Sequence, residues 1–277
     1  MEMRCSLLVV VSTALLLLRL SVVMVTAGGA READQHGRRG SALQDEKTFC
    51  SWRCLMFTLQ WPGGFCLSLN NQSLCRIPPS VNGWTIHGLW PQTQSCCRCW
   101  PMFPSDVQEL EEELSEEWPS LLKSRTSFTF WREEWQKHGS TAACVEGLNS
   151  PLRYFQICLK LRAQLDIQRF LEDAGITPSC DQPYQVEDVR RVLAPHLGDH
   201  PEIQCITDEQ GRQVWFQVKI PLSRNLTVGC DSHAEAGGGF WEKSALDSST
   251  SPGHPCPSKE PFYYVPIEHQ QPFRPCG

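Results

Sequence analysis

Short apolar runs that stop at proline or glycine predict the strands of this chain. LMFTLQW ends at a Pro-Gly-Gly sequence that predicts a turn, and VWFQVKI alternates before stopping at Pro221. Apolar runs of this length between turn residues are typical of half-buried or buried strands. The predicted strands cover residues 55–61, 83–91, 214–220 and 261–266.

Longer segments with apolar residues on one side predict helices. Residues 105–123 combine six glutamates with spaced leucines, which indicates one or two solvated amphipathic helices broken before Pro119. Further helices are predicted over residues 128–148, 152–171 and 186–197. Strands separated by clustered helices, without regular β-α-β alternation, predict the α+β class and a single domain.

The amino-terminal segment decides the compartment. Residues 6–25 are almost wholly apolar, interrupted by Arg19, and small residues follow at positions 25–28. This pattern predicts a cleaved signal peptide over residues 1–27, while a membrane anchor is the alternative. A polar arm over residues 28–46, a catalytic domain over 47–266 and a tail over 267–277 complete the expected organisation. We expect no stable membrane insertion of the mature protein.

Composition supports a folded, secreted protein. The 277 residues are 41% hydrophobic and 20% charged, which argues against bulk disorder. The net charge of −6 argues against a protein that coats DNA, but permits an enzyme that grips one phosphate. Fifteen cysteines predict disulfides, and cleavage of the signal removes Cys5. Asn71 and Asn225 fit the rule for N-glycosylation.

Two segments carry candidate chemistry. In WTIHGLWPQ, His87 follows Ile86 on a strand and is flanked by tryptophans; a packed core histidine is the bland interpretation. In FWREEWQKHG, Glu134, Lys137 and His138 share one helix face at spacings of three and four residues. An exposed surface ion pair is the bland interpretation of that set.

Taken together, the two segments indicate RNA cleavage. Two histidines from separate elements can act as base and acid near neutral or mildly acidic pH. A lysine and a carboxylate beside them can stabilise a phosphorane, and the neighbouring aromatic rings offer faces for bases. This set suits attack by a ribose 2′-hydroxyl and requires no metal or other cofactor, so DNA should be inert.

WTIHGLWP and FWREEWQKHG resemble the two active-site segments of the ribonuclease T2 family, in the same order and about forty residues apart. LMFTLQWPGGFC and other matches extend the resemblance over residues 52–266. The resemblance implies a central antiparallel β-sheet flanked by several α-helices. It also implies a secreted or lysosomal endoribonuclease that forms a 2′,3′-cyclic phosphate from single-stranded RNA.

The resemblance assigns roles residue by residue. It makes His87 the proton donor to the departing 5′-oxygen and His138 the acceptor of the 2′-hydroxyl proton. It makes Glu134 and Lys137 the pair that stabilises the phosphorane. It assigns base or substrate contacts to Trp90, Phe130, Gln60 and Gln92.

Disulfide pairs also follow from the resemblance. By position, Cys66 pairs with Cys75 and Cys205 with Cys256. The family places a cysteine where this chain has Thr141, so Cys144 is expected to take over the bond to Cys96, Cys97 or Cys99. A zinc site at that cysteine cluster is the alternative, although the secretory route favours disulfides.

One departure bears on activity. The family usually has histidine before the catalytic glutamate, and this chain has Glu133. An anion there would weaken phosphate binding and favour protonated histidines, unless it points into solvent. The alternative functions are therefore a catalytically weakened RNA-binding or signalling protein of this fold, or a carbohydrate-binding module. We expect a monomer that acts on single-stranded RNA.

Overall fold

The computed structural model describes residues 52–69, 72–93, 100–230 and 253–277. Its central strand, β1 (Cys54–Gln60), is buried along its whole length. β1 pairs antiparallel with β2 (Thr85–Pro91) on one side and with β5 (Gln213–Ser223) on the other. A strand covered on both faces needs the almost uninterrupted apolar run that predicted it.

The sheet continues outward from this trio. Its order is β2-β1-β5-β4-β6, with β4 at Glu202–Thr207 and β6 at His254–Pro255. Two short strands, β3 (Pro183–Tyr184) and β7 (Phe262–Tyr263), pair with each other, and β7 also runs parallel to β5. The α+β class is confirmed, with antiparallel pairing throughout except for the β5–β7 pair.

Helices cover the sheet and connect its strands. They are α1 (Pro62–Leu67), α2 (Glu111–Glu117), α3 (Ser127–Glu134), α4 (Ser140–Ala142), α5 (Pro151–Gln164), α6 (Ile167–Asp173) and α7 (Val186–Leu197). The main core packs aromatic residues of the sheet, such as Trp84 and Trp215, against residues of α3 and α5. Within the described ranges, no helix has the length and apolar character needed to cross a membrane.

Several element boundaries differ from the sequence prediction. The Pro-Gly-Gly segment forms α1 rather than a simple turn, because proline is favoured at the first helical position. The helix expected over residues 152–171 is two helices, since the Asp166 side chain accepts a hydrogen bond from the Arg169 N–H and starts α6. Residues 128–148 form α3, a π turn at Trp135–Gly139 and α4.

β5 passes through Pro221, where the sequence predicts its end. The Pro221 carbonyl accepts a hydrogen bond from the Gly229 N–H, so the imide nitrogen also faces away from β1. β4 pairs with β5 only as far as Lys219, so the ladder loses no donor at the proline. The strand therefore continues to Ser223.

Disulfides fasten the strands and the carboxyl-terminal segment. Within the described residues the bonds are Cys54–Cys230, Cys66–Cys75, Cys180–Cys276 and Cys205–Cys256. Two of them, Cys66–Cys75 and Cys205–Cys256, are the pairs expected from the sequence. Cys180–Cys276 ties residues 267–277, expected to form a tail, to the loop that follows α6.

Other sequence expectations fall partly or wholly outside the described residues. These are the signal peptide, the polar arm, Asn71, most of the loop over residues 231–259 and the cluster Cys96, Cys97 and Cys99. Asn225 is described, and it is exposed in the turn that follows β5. The described residues all belong to one compact unit that spans Thr48–Gly277.

Candidate active site

The edge strand β2 carries the first candidate residues. Along β2 the partly exposed side chains are those of His87 and Trp90. Gly88 lies opposite Thr58 and Ile86 opposite Leu59, so His87 has no direct partner on β1. Such a bulge is common beside active sites, because the extra residue re-aims a side chain. It places His87 at the boundary between the core and solvent.

Side chains from two helical segments hold the outer edge of β2. The indole N–H of Trp118 donates to the His87 carbonyl at 3.1 Å. The Tyr154 hydroxyl of α5 donates to the Leu89 carbonyl at 2.8 Å and accepts from the Leu89 N–H at 3.3 Å. These bonds satisfy backbone groups that a neighbouring strand would otherwise pair. They also fix the backbone on which His87 is mounted.

The second candidate segment begins at the end of α3 and enters the π turn. Thr126 starts α3, because its hydroxyl accepts from the Thr129 N–H at 3.1 Å. In the π turn the Ser140 N–H donates to the Trp135 carbonyl, five residues back, while the Ser140 hydroxyl donates to the Gln136 carbonyl. π turns occur frequently at functional sites. This one contains Lys137 and His138.

A glycine makes room within the turn. A Cβ at Gly139 would overlap the Trp135 ring. The Trp135 ring packs against Tyr154, with ring centroids 5.7 Å apart. The turn is therefore fastened to the same tyrosine that holds β2.

Trp90 joins the two segments. Its indole N–H donates to Glu134 Oε2 at 2.9 Å. Its ring centroid lies 5.0 Å from that of His87 and 5.3 Å from that of His138. The structure thus brings His87, Glu134 and His138 together around one tryptophan. Lys137, adjacent to His138 in the π turn, is half-buried.

Gly88 permits this arrangement. A Cβ on Gly88 would overlap both Trp90 Nε1 and Glu134 Oε2. Any larger residue would therefore displace the hydrogen bond that links β2 to α3. The sequence gave Gly88 the simpler role of leaving space beside the imidazole.

Gln217 is a site residue that the sequence analysis missed. Its side-chain amide lies 2.6 Å from His87 Nδ1. It is buried in β5 directly across from Gln60, which in turn lies opposite Thr85 of β2. The available signal was one glutamine at a buried position of an otherwise apolar strand. The expected substrate residue Gln60 therefore belongs to the sheet framework beneath His87.

The remaining base-contact candidates have different environments. Phe130 is only 2% exposed, and its ring centroid lies 5.9 Å from that of His87. The Arg125 guanidinium covers the Phe130 ring at 4.3 Å. Gln92 is half-buried just after β2, and its N–H donates to the Cys54 carbonyl. Trp90 is more exposed than Phe130 and offers the more accessible ring for a base.

Glu133 does not stand alone beside Glu134. Its carboxylate forms an ion pair with Arg125, with Nη1 and Oε2 2.8 Å apart. The negative charge expected to weaken phosphate binding therefore has a cation beside it.

The interior behind the site favours neutral groups. Burial, together with Cys158 and Glu134, raises the pKa of Tyr154 well above its usual range. Burial, and then Glu134, does the same for the pKa of Cys158. Glu134 itself is only 7% exposed. A buried carboxylate whose hydrogen-bond partner is Trp90 keeps its field directed at the two histidines.

The arrangement supports proton transfer at two points of one substrate. Two imidazoles flank Trp90, and a carboxylate and an ammonium lie on the segment that bears His138. Among the described residues, no three His, Cys, Asp or Glu side chains are grouped as metal ligands. The described groups can supply an acid, a base and charge stabilisation.

Comparison with known proteins identifies the same set of segments in a family. Residues 52–235 match the family model of the Ribonuclease T2 family. Ribonuclease Oy of Magallana gigas is 31% identical over 226 residues, which cover 78% of this chain and 97% of that protein. Ribonuclease T2 of Homo sapiens is 39% identical over 173 residues, or 62% of this chain and 66% of that protein.

Solved structures agree with the fold. The crystal structure of human RNase T2 superposes with a TM-score of 0.62 and 32% identity, covering 78% of this chain and 99% of that chain. The crystal structure of RNase NT in complex with 5′-AMP gives a TM-score of 0.61 and 25% identity, covering 78% and 98%.

Proposed function

The chain belongs to the ribonuclease T2 family of endoribonucleases, and we propose that it cleaves single-stranded RNA through a 2′,3′-cyclic phosphate. The observation that carries this proposal is the placement of His87 and His138 on either side of Trp90. One histidine serves the attacking oxygen and the other serves the leaving oxygen.

The first step balances as follows. His138 accepts the proton of the 2′-hydroxyl as its oxygen bonds to phosphorus. The bond from phosphorus to the 5′-oxygen breaks, and protonated His87 donates a proton to that oxygen. Glu134 and Lys137 stabilise the phosphorane between these events. In the second step water opens the cyclic phosphate, with the two histidines in reversed roles.

Gln217 suits the donor role of His87. A glutamine amide presents either its carbonyl oxygen or its NH₂ group. Its oxygen can accept from Nδ1–H of the imidazolium, and its NH₂ can donate to Nδ1 after the proton has left from Nε2. The imidazole is therefore oriented in both protonation states.

Two further observations support an RNA substrate. Trp90 is a partly exposed ring between the two histidines, and aromatic faces stack unpaired bases. RNase NT, a structural neighbour of this chain, has been solved in complex with 5′-AMP. We propose that a nucleotide binds this chain in the same region.

We also propose that the protein works in a secretory compartment, either outside the cell or in the lysosomal lumen. Its disulfides are typical of an oxidising environment. Asn225 lies in an exposed turn where a glycan would meet no packed surface.

The test replaces each histidine in turn. His87→Ala and His138→Ala are each expected to lower kcat by about 10²–10⁴-fold, the usual contribution of a general acid or base. The control is His196→Ala, at an exposed histidine of α7 that stacks on Phe170. Cleavage of homopolymer RNA is measured from pH 4 to pH 8, and the 2′,3′-cyclic product is identified by mass.

The same assay separates the alternatives. Unchanged kcat in both active-site variants would refute the two-histidine mechanism. Loss of wild-type activity in EDTA would indicate a metal-dependent reaction. RNA binding without cleavage by the wild type would favour the weakened RNA-binding protein, for which Glu133 is the motivating residue.

A further inference from the structure

A cation lies one aromatic ring away from His87. The Arg125 guanidinium covers the Phe130 ring at 4.3 Å, and the Phe130 ring centroid lies 5.9 Å from that of His87. Arg125 precedes α3, and its backbone N–H donates to the Leu122 carbonyl. The guanidinium is therefore positioned on the His87 side of the site rather than on the side of His138.

Glu133 holds this cation in one orientation. Arg125 Nη1 and Glu133 Oε2 are 2.8 Å apart, and the two side chains are 27% and 50% exposed. The flat guanidinium is thus fixed by Phe130 on one face and by Glu133 at one nitrogen. A guanidinium that is already oriented loses little freedom when it binds a ligand.

The donors of Arg125 are not used up by the protein. Nε is buried and has no hydrogen-bond partner among the described residues. A guanidinium carries five N–H groups in a planar fork that matches phosphate oxygens. An ordinary surface ion pair would leave its remaining donors in water, whereas here one of them is withdrawn from solvent.

We propose that Arg125 forms a second phosphate subsite for RNA, with Glu133 as its positioning residue. The proposal rests on the function proposed above, in which His87 protonates the departing 5′-oxygen. The nucleoside that leaves lies on the His87 side, so the subsite binds the phosphate that follows it. Arg125 therefore contacts the phosphodiester on the 3′ side of the cleaved bond.

The subsite gives Glu133 a role beyond that of an added anion. Its charge is balanced by Arg125, and its carboxylate determines where the guanidinium lies. Glu133→Gln retains an oxygen that accepts from Nη1 and removes the negative charge. This variant is expected to bind a substrate with the 3′ phosphate more tightly than the wild type does.

Three chimeric oligonucleotides test the proposal, each with a single ribonucleotide and hence a single cleavable bond. The first is rU-dU, the second is rU-dU-dU with an added 3′ phosphodiester, and the third is dU-rU-dU with an added 5′ phosphodiester. In the wild type the added 3′ phosphodiester is expected to lower KM. Arg125→Ala is expected to abolish that gain, which we place at about tenfold, the lower range for a hydrogen bond between charged groups.

Controls and a salt titration distinguish binding from a structural role. Arg132→Ala removes a neighbouring arginine of α3 that lies near Phe128, and it should retain the gain from the 3′ phosphodiester. Arg125→Lys keeps the charge and should retain part of it. In Arg125→Ala the salt dependence of log(kcat/KM) for rU-dU-dU should become shallower by about 0.7, the value for one phosphate contact on a single strand.

Each outcome is assigned in advance. If Arg125→Ala changes KM by the same factor for all three substrates, or changes none, Arg125 is a structural ion-pair residue and the subsite is refuted. If it acts on dU-rU-dU instead, the phosphate lies on the opposite side from the one proposed. If the wild type cleaves none of the three, the proposed function fails rather than the subsite.

Discussion

At the scale of single residues, the contact between His87 and Gln217 has the most direct consequence for chemistry. A neutral amide lets the imidazole gain and lose its proton without leaving a buried charge. The 2.6 Å contact brings a strand from the carboxyl-terminal half of the chain to a histidine near the amino-terminal end of the domain.

Gln217→Glu places a carboxylate at that contact. The negative charge favours the imidazolium and so raises the pKa of His87. Because His87 acts in its protonated form, the alkaline limb of the kcat/KM profile should move to higher pH. Gln210→Glu, in the exposed β4–β5 turn, adds the same charge away from the site and should leave the limb in place. A profile unchanged by Gln217→Glu would show that Gln217 does not tune His87.

At the scale of elements, β2 depends on its outer edge as much as on its pairing with β1. Tyr154→Phe removes the hydroxyl that satisfies both the carbonyl and the N–H of Leu89. A buried backbone group left unpaired costs about 1–3 kcal/mol, so the free energy of unfolding at pH 7 should fall by at least this amount. Urea unfolding measures the loss.

The deficit should shrink at alkaline pH. The pKa of Tyr154 is raised in the folded protein, whereas the unfolded tyrosine ionises near its ordinary value of 10.0. The wild type therefore has this contribution in full below pH 10 and loses it as the pH rises further, while Tyr154→Phe has nothing to lose. Tyr263→Phe, at a half-buried tyrosine of β7, is the control. A constant deficit up to pH 11 would contradict the argument.

The elements also show what the sequence could predict. The strands β1, β2 and β5 and the helix α7 are found where the apolar pattern places them, because each pattern reports which face is buried. The π turn was missed, since apolar spacing does not reveal whether the Ser140 N–H bonds four or five residues back. The break at Asp166 was missed because its capping role depends on one local hydrogen bond.

The candidate site divides in the same way. His87, Glu134 and His138 come from two contiguous segments, so sequence motifs carry them. Gln217 and Arg125 reach the site through strand pairing and ring stacking between distant segments. A single sequence holds no record of such contacts, and neither residue is distinguished by its neighbours in the chain.

At the scale of the whole molecule, disulfides join segments that the sheet alone leaves far apart in sequence. Cys54–Cys230 ties the start of β1 to the segment after β5, and Cys180–Cys276 anchors the end of the chain. Cross-links over long segments restrict the unfolded chain and so stabilise the folded one. Cys158, by contrast, is unpaired and buried, and burial raises the pKa of its thiol.

Cys144 is disulfide-bonded to a residue outside the described ranges. We predict that its partner is Cys96, Cys97 or Cys99, which would tie the segment after the π turn to the loop after β2. Peptide mapping under non-reducing conditions identifies the pair. A bond from Cys144 to Cys50 would refute the prediction, and zinc retained by the isolated protein would favour the other role of the cluster.

The position of β1 between β2 and β5 also governs when the enzyme becomes active during its own synthesis. The ribosome releases His87, Glu134 and His138 well before Gln217, and β1 has one neighbour until β5 follows. Strand backbone groups without partners remain in water and hold no fixed register. A growing chain thus carries its reactive histidines before it has the sheet that aligns them. RNA cleavage begins only when nearly the whole domain has been translated.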